Sequence, residues 1–243
     1  MPEGPSIVIL KEKVQDFTGK RVIAVSGNSK ADKARLLSEK VISVKSWGKH
    51  FLLCFKGFTL KVHLLMFGSY LINERKAQAA RLSITFDNGE LNLYSCSVKI
   101  LEGDIDNYYD WSVDVMNDAW VPVKARKKLE AVPNMLICDA LLDKDIFAGV
   151  GNIIKNEVLY RVYVHPESKV GKIPANKLKE IIKEARNYSF EFLEWKRQYE
   201  LRKHWLAHTK KICLRCNLPI IRKVTGAKRR RSFFCLNCQE LYK

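Results

Sequence analysis

The sequence predicts an α+β protein in three parts: an N-terminal antiparallel β-sandwich over residues 1–110, a helical segment over 111–209 and a small module over 210–243. Three observations point there. Before residue 110 the chain is a series of short β-branched and aromatic runs broken by glycine turns, and after it the apolar residues fall at helical spacing. The third observation is that four of the seven cysteines lie near the C-terminus in two tight pairs. With 47% hydrophobic residues in 243, there is apolar material for real cores.

The expected strands are Lys20–Ser26, Val41–Trp47, Phe51–Phe55, Thr59–Met66, Arg81–Phe86 and Glu90–Tyr94, behind a short N-terminal helix. Gly48, Gly57 and Gly68 mark turns. Asp87-Asn88-Gly89 separates two alternating runs, Leu82-x-Ile84-x-Phe86 and Leu91-x-Leu93, which is the pattern of a hairpin. Helices are expected over Ser112–Ala119, Val123–Ala131, Leu136–Leu142, Val150–Val162 and from Pro174 to about Leu206. Pro133 breaks the second of these, and Pro174 can sit in the first turn of the last without losing a bond.

Lys and Arg total 43 against 26 Asp and Glu, a formal net charge of +17. Such an excess implies a polyanionic partner, nucleic acid ahead of an anionic membrane face. No apolar run approaches the roughly 20 residues that span a bilayer, and Met1-Pro2-Glu3 leads into no basic and apolar signal segment. A cytoplasmic monomer is therefore expected, nucleoid-associated if bacterial. Cys54, Cys96 and Cys138 lie in apolar stretches and read as small buried hydrophobes.

Cys213-x2-Cys216 and Cys235-x2-Cys238 stand 18 residues apart, the spacing of two knuckles that give four thiolates to one structural Zn²⁺ per chain. A segment so short and polar has little core without that staple. Between the knuckles Arg222, Lys223, Lys228, Arg229, Arg230 and Arg231 should lie on a β-hairpin, a cationic surface suited to phosphates. Ala148-Gly149-Val150-Gly151-Asn152 opens a helix that continues to Leu159. Glycines ahead of a helix start allow close approach to its free N–H groups, which with the dipole form an anion site, although alone the motif is equally a plain connecting turn.

The start Pro2-Glu3-Gly4-Pro5, the Gly149-Val150-Gly151-Asn152 turn and the end Phe234-Cys235-Leu236-Asn237-Cys238-Gln239 resemble the formamidopyrimidine-DNA glycosylase and endonuclease VIII family, closer to its endonuclease VIII-like branch. The resemblance covers the whole chain. It implies an N-terminal β-sandwich, a helix-two-turns-helix domain and a C-terminal β-hairpin zinc finger, with DNA held in the cleft between them. By the same resemblance Pro2 is the nucleophile, exposed once Met1 is removed, and Glu3 the adjacent general acid. Lys49, in Trp47-Gly48-Lys49-His50, is similar to a hairpin lysine that contacts phosphate and assists the chemistry. Asn152 resembles a phosphate-clamping asparagine. Arg230, five residues before Cys235 and flanked by Arg229 and Arg231, is similar to the finger arginine that grips phosphate beside the lesion.

His63-Leu64-Leu65-Met66-Phe67-Gly68 resembles the loop that fills the gap left by an extruded base, with Leu65, Met66 and Phe67 as the wedge. Without the resemblance it reads as a buried strand end. Two departures stand out: Ser6 replaces the family's usual second glutamate, and Leu64-Leu65 is more apolar than usual.

The implied activity is that of a bifunctional DNA glycosylase and abasic-site lyase acting on damaged double-stranded DNA through a proline iminium and β,δ-elimination. A terminal α-amine with pKa near 8 is about one-tenth unprotonated at neutral pH, which suits it as a nucleophile. Pro166–Ile212 is mostly one helix, without a glycine-rich insertion after Pro174, and Tyr94–Ile100 carries neither arginine nor phenylalanine. Both features set the expectation toward oxidised pyrimidines and hydantoins rather than 8-oxoguanine. Two other classes fit parts of the sequence: a non-catalytic damaged-DNA-binding protein on the same scaffold, and an RNA-associated zinc-ribbon protein, which needs no free N-terminus.

Overall fold

Alternation of apolar and polar residues turns the first part of the chain into sheet. The computed structural model describes residues 2–243, and in it a helix, α1 (Gly4–Lys13), precedes eight strands. They are β1 (Val22–Ser26), β2 (Ser43–Trp47), β3 (His50–Phe55), β4 (Phe58–His63), β5 (Ser69–Ile72), β6 (Leu82–Phe86), β7 (Gly89–Tyr94) and β8 (Ser97–Glu102). Two antiparallel four-stranded sheets result, in the orders β1-β6-β7-β5 and β2-β3-β4-β8. Asp87-Asn88 makes the tight turn between β6 and β7, with Phe86 opposite Gly89. Ile84, Phe86, Leu91 and Leu93 of one sheet share a single buried core with Phe51, Leu53, Leu60 and Val62 of the other, joined by Ile7 and Leu10 of α1. This is the expected sandwich, closed by the apolar face each strand presents every second residue.

Two strands lie outside the expected runs. β5 follows the Gly68 turn, and β8 pairs with β4 along its whole length, from Phe58–Glu102 to His63–Ser97. The Tyr94–Ile100 segment turns at Ser95 in the left-handed conformation (φ 50°) and returns as an edge strand. β4 in turn stops at His63, short of the expected Met66.

The second part holds α2 (Pro122–Glu130), α3 (Ile137–Ala140), α4 (Asn152–Arg161), α5 (Ala175–Arg197) and a hairpin of β9 (Ile221–Thr225) and β10 (Arg230–Phe234). Its core centres on Ile137, Phe147, Ile154, Val158, Ile181, Ala185 and Phe192, all essentially inaccessible. The helix expected over Ser112–Ala119 is absent beyond one 3₁₀ turn at Trp111–Val113. Asp114 Oδ1 accepts Met116 N–H at 3.0 Å and Asn117 Oδ1 accepts Ala119 N–H at 2.9 Å, local turns that compete with helix for the same donors. α5 ends at Arg197, and Tyr199 takes a left-handed φ of 61° before a further 3₁₀ turn at Leu201–His204.

The chain divides into two compact units, one up to Asp110 and the other Trp111–Lys243, so the helical segment and the cysteine-bearing hairpin share one unit. Long-range side-chain bonds explain why. The Asp139 carboxylate accepts the N–H groups of Ala227 and Lys228 at 2.7 and 3.1 Å, clasping the β9–β10 turn. Fully buried Glu157 accepts Leu206, Ala207 and His208 N–H at 2.8, 3.0 and 2.7 Å. Gln239 Nε2 donates to the Val164 carbonyl at 2.8 Å. Among the described residues no helix is long and apolar enough to cross a membrane.

Candidate functional site

In the first unit Glu3 caps α1 and is fully buried. Its N–H donates to Ser6 Oγ at 3.4 Å, and Ser6 N–H returns to the Glu3 carbonyl at 2.8 Å. The residue that replaces a glutamate thus still completes a capping box at the N3 position, and Pro5, with its fixed φ, suits the first turn. The backbone immediately after half-buried Pro2 is fixed rather than frayed.

α1 packs on β2 and β3, the strands whose hairpin carries Lys49. Gly48 and Lys49 are the two turn residues between paired Trp47 and His50, and Gly48 takes the positive φ of 54° that a glycine-first hairpin needs. Around this turn the strands assemble a cluster that sequence reasoning missed. His50 Nδ1 lies 3.1 Å from the Tyr109 hydroxyl, His50 and His63 meet edge to face, and Trp47 Nε1 donates to the Asp110 carbonyl at 2.9 Å. Burial, then the charges of Lys49 and Lys61, hold His63 below the ordinary histidine range.

The stretch after β4 forms a tight exposed loop. Gly68 N–H bonds the Leu64 carbonyl at 2.7 Å, Leu65 adopts φ 49°, and its N–H donates to His63 Nδ1 at 3.2 Å. A Cβ at position 68 would sit 1.9 Å from the Leu64 oxygen, so only glycine closes the turn. Leu65, Met66 and Phe67 project from it, Phe67 84% exposed, while Leu64 is buried in the core.

In the second unit Gly149 takes φ 100°, but Gly151 is extended and serves as the N-cap of α4. Asn152 is buried, and its Nδ2 donates to the Arg231 carbonyl at 2.9 Å, so one of its two amide hydrogens is committed to the hairpin. Lys155, fully buried, donates to Ser232 Oγ at 2.8 Å and to the same Arg231 carbonyl at 3.2 Å. Asn156 accepts Phe233 N–H at 3.3 Å. α4 and the finger strand therefore share one polar seam. Arg230 is half-buried opposite Thr225, on the same strand face as Ser232 and so on the side of that seam, whereas Arg231 is exposed on the other face.

Cys213, Cys216, Cys235 and Cys238 bring their sulfur atoms within 4.8 Å of one another. The separations of 3.9 Å (Cys213–Cys238) and 3.5 Å (Cys216–Cys235) bracket the roughly 3.8 Å edge of a tetrahedron with 2.3 Å metal–sulfur bonds. The donor set fits a tetrahedral metal ion. Tyr160 of α4 places its hydroxyl 3.1 Å from Cys213 Sγ, an outer-sphere bond to a ligand atom. Cys54, Cys96 and Cys138 are buried, and burial pushes the Cys96 thiol up to about 11 and Cys138 in the same direction.

Residues 1–96 match the family model described as formamidopyrimidine-DNA glycosylase N-terminal domain, and residues 116–195 match that of the formamidopyrimidine-DNA glycosylase H2TH domain. Endonuclease 8-like 3 of Mus musculus is 28% identical over 217 residues, covering 85% of this chain and 36% of that protein. The chain thus spans little more than a third of those relatives. A formamidopyrimidine-DNA glycosylase of Solibacter usitatus is 26% identical over 275 residues, 99% of this chain and 100% of that one. Among solved structures, Lactococcus lactis formamidopyrimidine-DNA glycosylase non-covalently bound to DNA containing an AP site shares the fold with a TM-score of 0.87 at 19% identity, over 98% of this chain and 99% of that one. A viral DNA glycosylase does so with 0.85 at 22% identity, over 98% and 100%. With both domain models matched in order and relatives of both names aligned along it, the chain belongs to the formamidopyrimidine-DNA glycosylase and endonuclease VIII family, near the endonuclease VIII-like members.

Proposed function

We propose that this protein is a bifunctional DNA glycosylase and abasic-site lyase acting on damaged duplex DNA. The observation that carries the reading is the fixed start of α1: Pro2 directly precedes buried Glu3, whose backbone is locked by Ser6. With Met1 removed, Pro2 offers a secondary amine. Its lone pair attacks C1′ of an extruded nucleotide, the N–C1′ bond forms as the glycosidic bond breaks, and the base leaves with a proton. Glu3 protonates the sugar ring oxygen, giving the open-chain iminium. That cation acidifies C2′, so proton loss expels the 3′ phosphate and a second elimination expels the 5′ phosphate, with no change of oxidation state across protein and DNA together.

Lys49, at the hairpin turn, has the charge and position to contact phosphate and assist these proton movements. Leu65, Met66 and Phe67 fill the vacated stack, which offsets the lost base contacts. On the second unit the N-terminus of α4 with Asn152, and Arg230 of the finger, hold phosphates. The four cysteines would hold Zn²⁺, which with four thiolates has no open position and supplies structure alone. Oxidised pyrimidines and hydantoins are the favoured substrates, because the 166–212 stretch is helix and turns with no long insertion to cap a purine, and Tyr94–Ile100 carries neither arginine nor phenylalanine.

Incubation with abasic duplex and borohydride tests the reading. A trapped covalent adduct is expected, lost when one extra residue is retained before Pro2. Trapping at the parent rate by the extended protein would falsify the N-terminal amine as nucleophile, and absence of trapping with retained duplex binding would favour the non-catalytic scaffold.

A further inference from the structure

The second unit carries a groove of about 380 Å³ between α2 and α5 that none of the proposed DNA-contacting residues lines. Trp120, Val123 and Ile182 make an almost wholly apolar floor. Val123 is 61% exposed there, and Phe190, about two turns beyond Ile182 along α5, continues the apolar surface. The rim is cationic. Lys179, Lys183 and Arg186 fall three and four residues apart on one face of α5, and Arg126 stands across from them on α2, already ion-paired with Glu130 at 2.8 Å. Arg186 is held in place by the carbonyls of Val115 and Asn117 at 3.0 and 2.8 Å, whereas Lys179 and Lys183 have no carboxylate partner among the described residues.

We infer that this groove docks an acidic amphipathic segment of a partner protein, with an apolar side chain seated on Trp120 and Val123 and carboxylates reaching Lys179, Lys183 and Arg186. The chemistry selects that occupant. An exposed apolar hollow gains most from an occupant that covers it, and a row of like charge along its edge gains from carboxylates at matching spacing. A DNA strand would satisfy the rim alone. Its phosphates present no apolar protrusion to the floor, which would stay wet.

The probe is a fluorescein-labelled peptide with two leucines at i and i+4, one replaced by photo-leucine, among glutamates, alongside a scrambled peptide of equal composition. Anisotropy at physiological salt should show Lys179→Glu/Lys183→Glu and Val123→Asp each weakening the patterned peptide by roughly tenfold or more. The scrambled peptide should bind worse by a similar factor, and a control reversal on α1, Lys11→Glu/Lys13→Glu, should change little. Photo-crosslinks should fall on residues 120–126 and 179–190. Equal binding of the two peptides, an equal loss in the control, crosslinks on the finger, or displacement by undamaged duplex DNA would each overturn the inference, the last by making the groove a DNA surface.

Discussion

Asn156 donates its side-chain amide to Nδ1 of His208 at 3.0 Å, and Phe233 N–H fixes that amide's orientation by binding its oxygen. A protonated Nδ1 would face a donor, so this geometry demands the neutral ring. Burial, then the charge of Lys155, lower the His208 pKa to about 4. An unfolded histidine titrates near 6.5, so between those values the unfolded chain binds a proton that the folded one refuses. Stability is full above about pH 6.5 and falls as pH drops toward 4, by an amount on the order of 2–3 kcal/mol from this residue. Urea unfolding at pH 7.5 and 5 checks it: His208→Gln should flatten the pH dependence, and an unchanged slope refutes the account.

Glu157 offers its carboxylate to three consecutive backbone N–H groups. Burial raises its pKa while those bonds oppose the rise. Glu157→Gln keeps the shape but turns an amide donor toward backbone donors, which should cost about 1–3 kcal/mol. A thermal melt of the variant indistinguishable from the parent would show that the bonds are not needed.

Gly226 adopts φ 68°, and a Cβ there would stand 2.4 Å from the Asp139 carboxylate. Gly226→Ala should therefore destabilise by about 1–3 kcal/mol. In an Asp139→Ala background the same change should cost clearly less, since the clash is gone and only the backbone strain remains. Additive costs in the double-mutant cycle would rule out the clasp.

Removing metal with a chelator, or Cys235→Ser, should weaken DNA binding and also loosen the helices. The hairpin is bonded to α3 and α4 through Asp139, Asn152 and Lys155. Hydrogen exchange should accelerate across 111–243 while β1 to β8 keep their protection. Acceleration confined to 210–243 would mean that the seam does not transmit the loss.

Arg230→Ala should lower affinity for all duplex sequences and reduce the salt slope by about one unit, as expected for one lost phosphate contact. Arg231→Ala, on the opposite strand face, should do less. The reverse ranking would assign the contact to Arg231.

What the sequence could and could not say follows from the range of the interactions. The Cys-x2-Cys pairs, the Asp87-Asn88-Gly89 hairpin and the Lys49 turn are local patterns, and each is where its spacing put it. Ser97–Glu102 was missed as a strand because an edge strand half-buried on both faces shows weak alternation. Lys155, Asn156 and Glu157 were missed for another reason. Three polar residues in a row in an otherwise apolar helix look like a solvated face, yet all are buried, and their partners lie 49 to 77 residues downstream. Asn152 was placed at the right turn, but its hold on the Arg231 carbonyl could be seen only once strand and helix were side by side.

The seam between α4 and the hairpin also sets an order of events during translation. The sheet unit is complete by Asp110 and can close on its own core as the chain emerges. α4 cannot: its buried lysine and glutamate wait for residues 206–208 and 232 to be synthesised. Without residues 206–208 and 232 a folded sheet half would thus be joined to a helical half with unmatched interior charges. Such a product is a substrate for proteases rather than a protein that lacks only its hairpin.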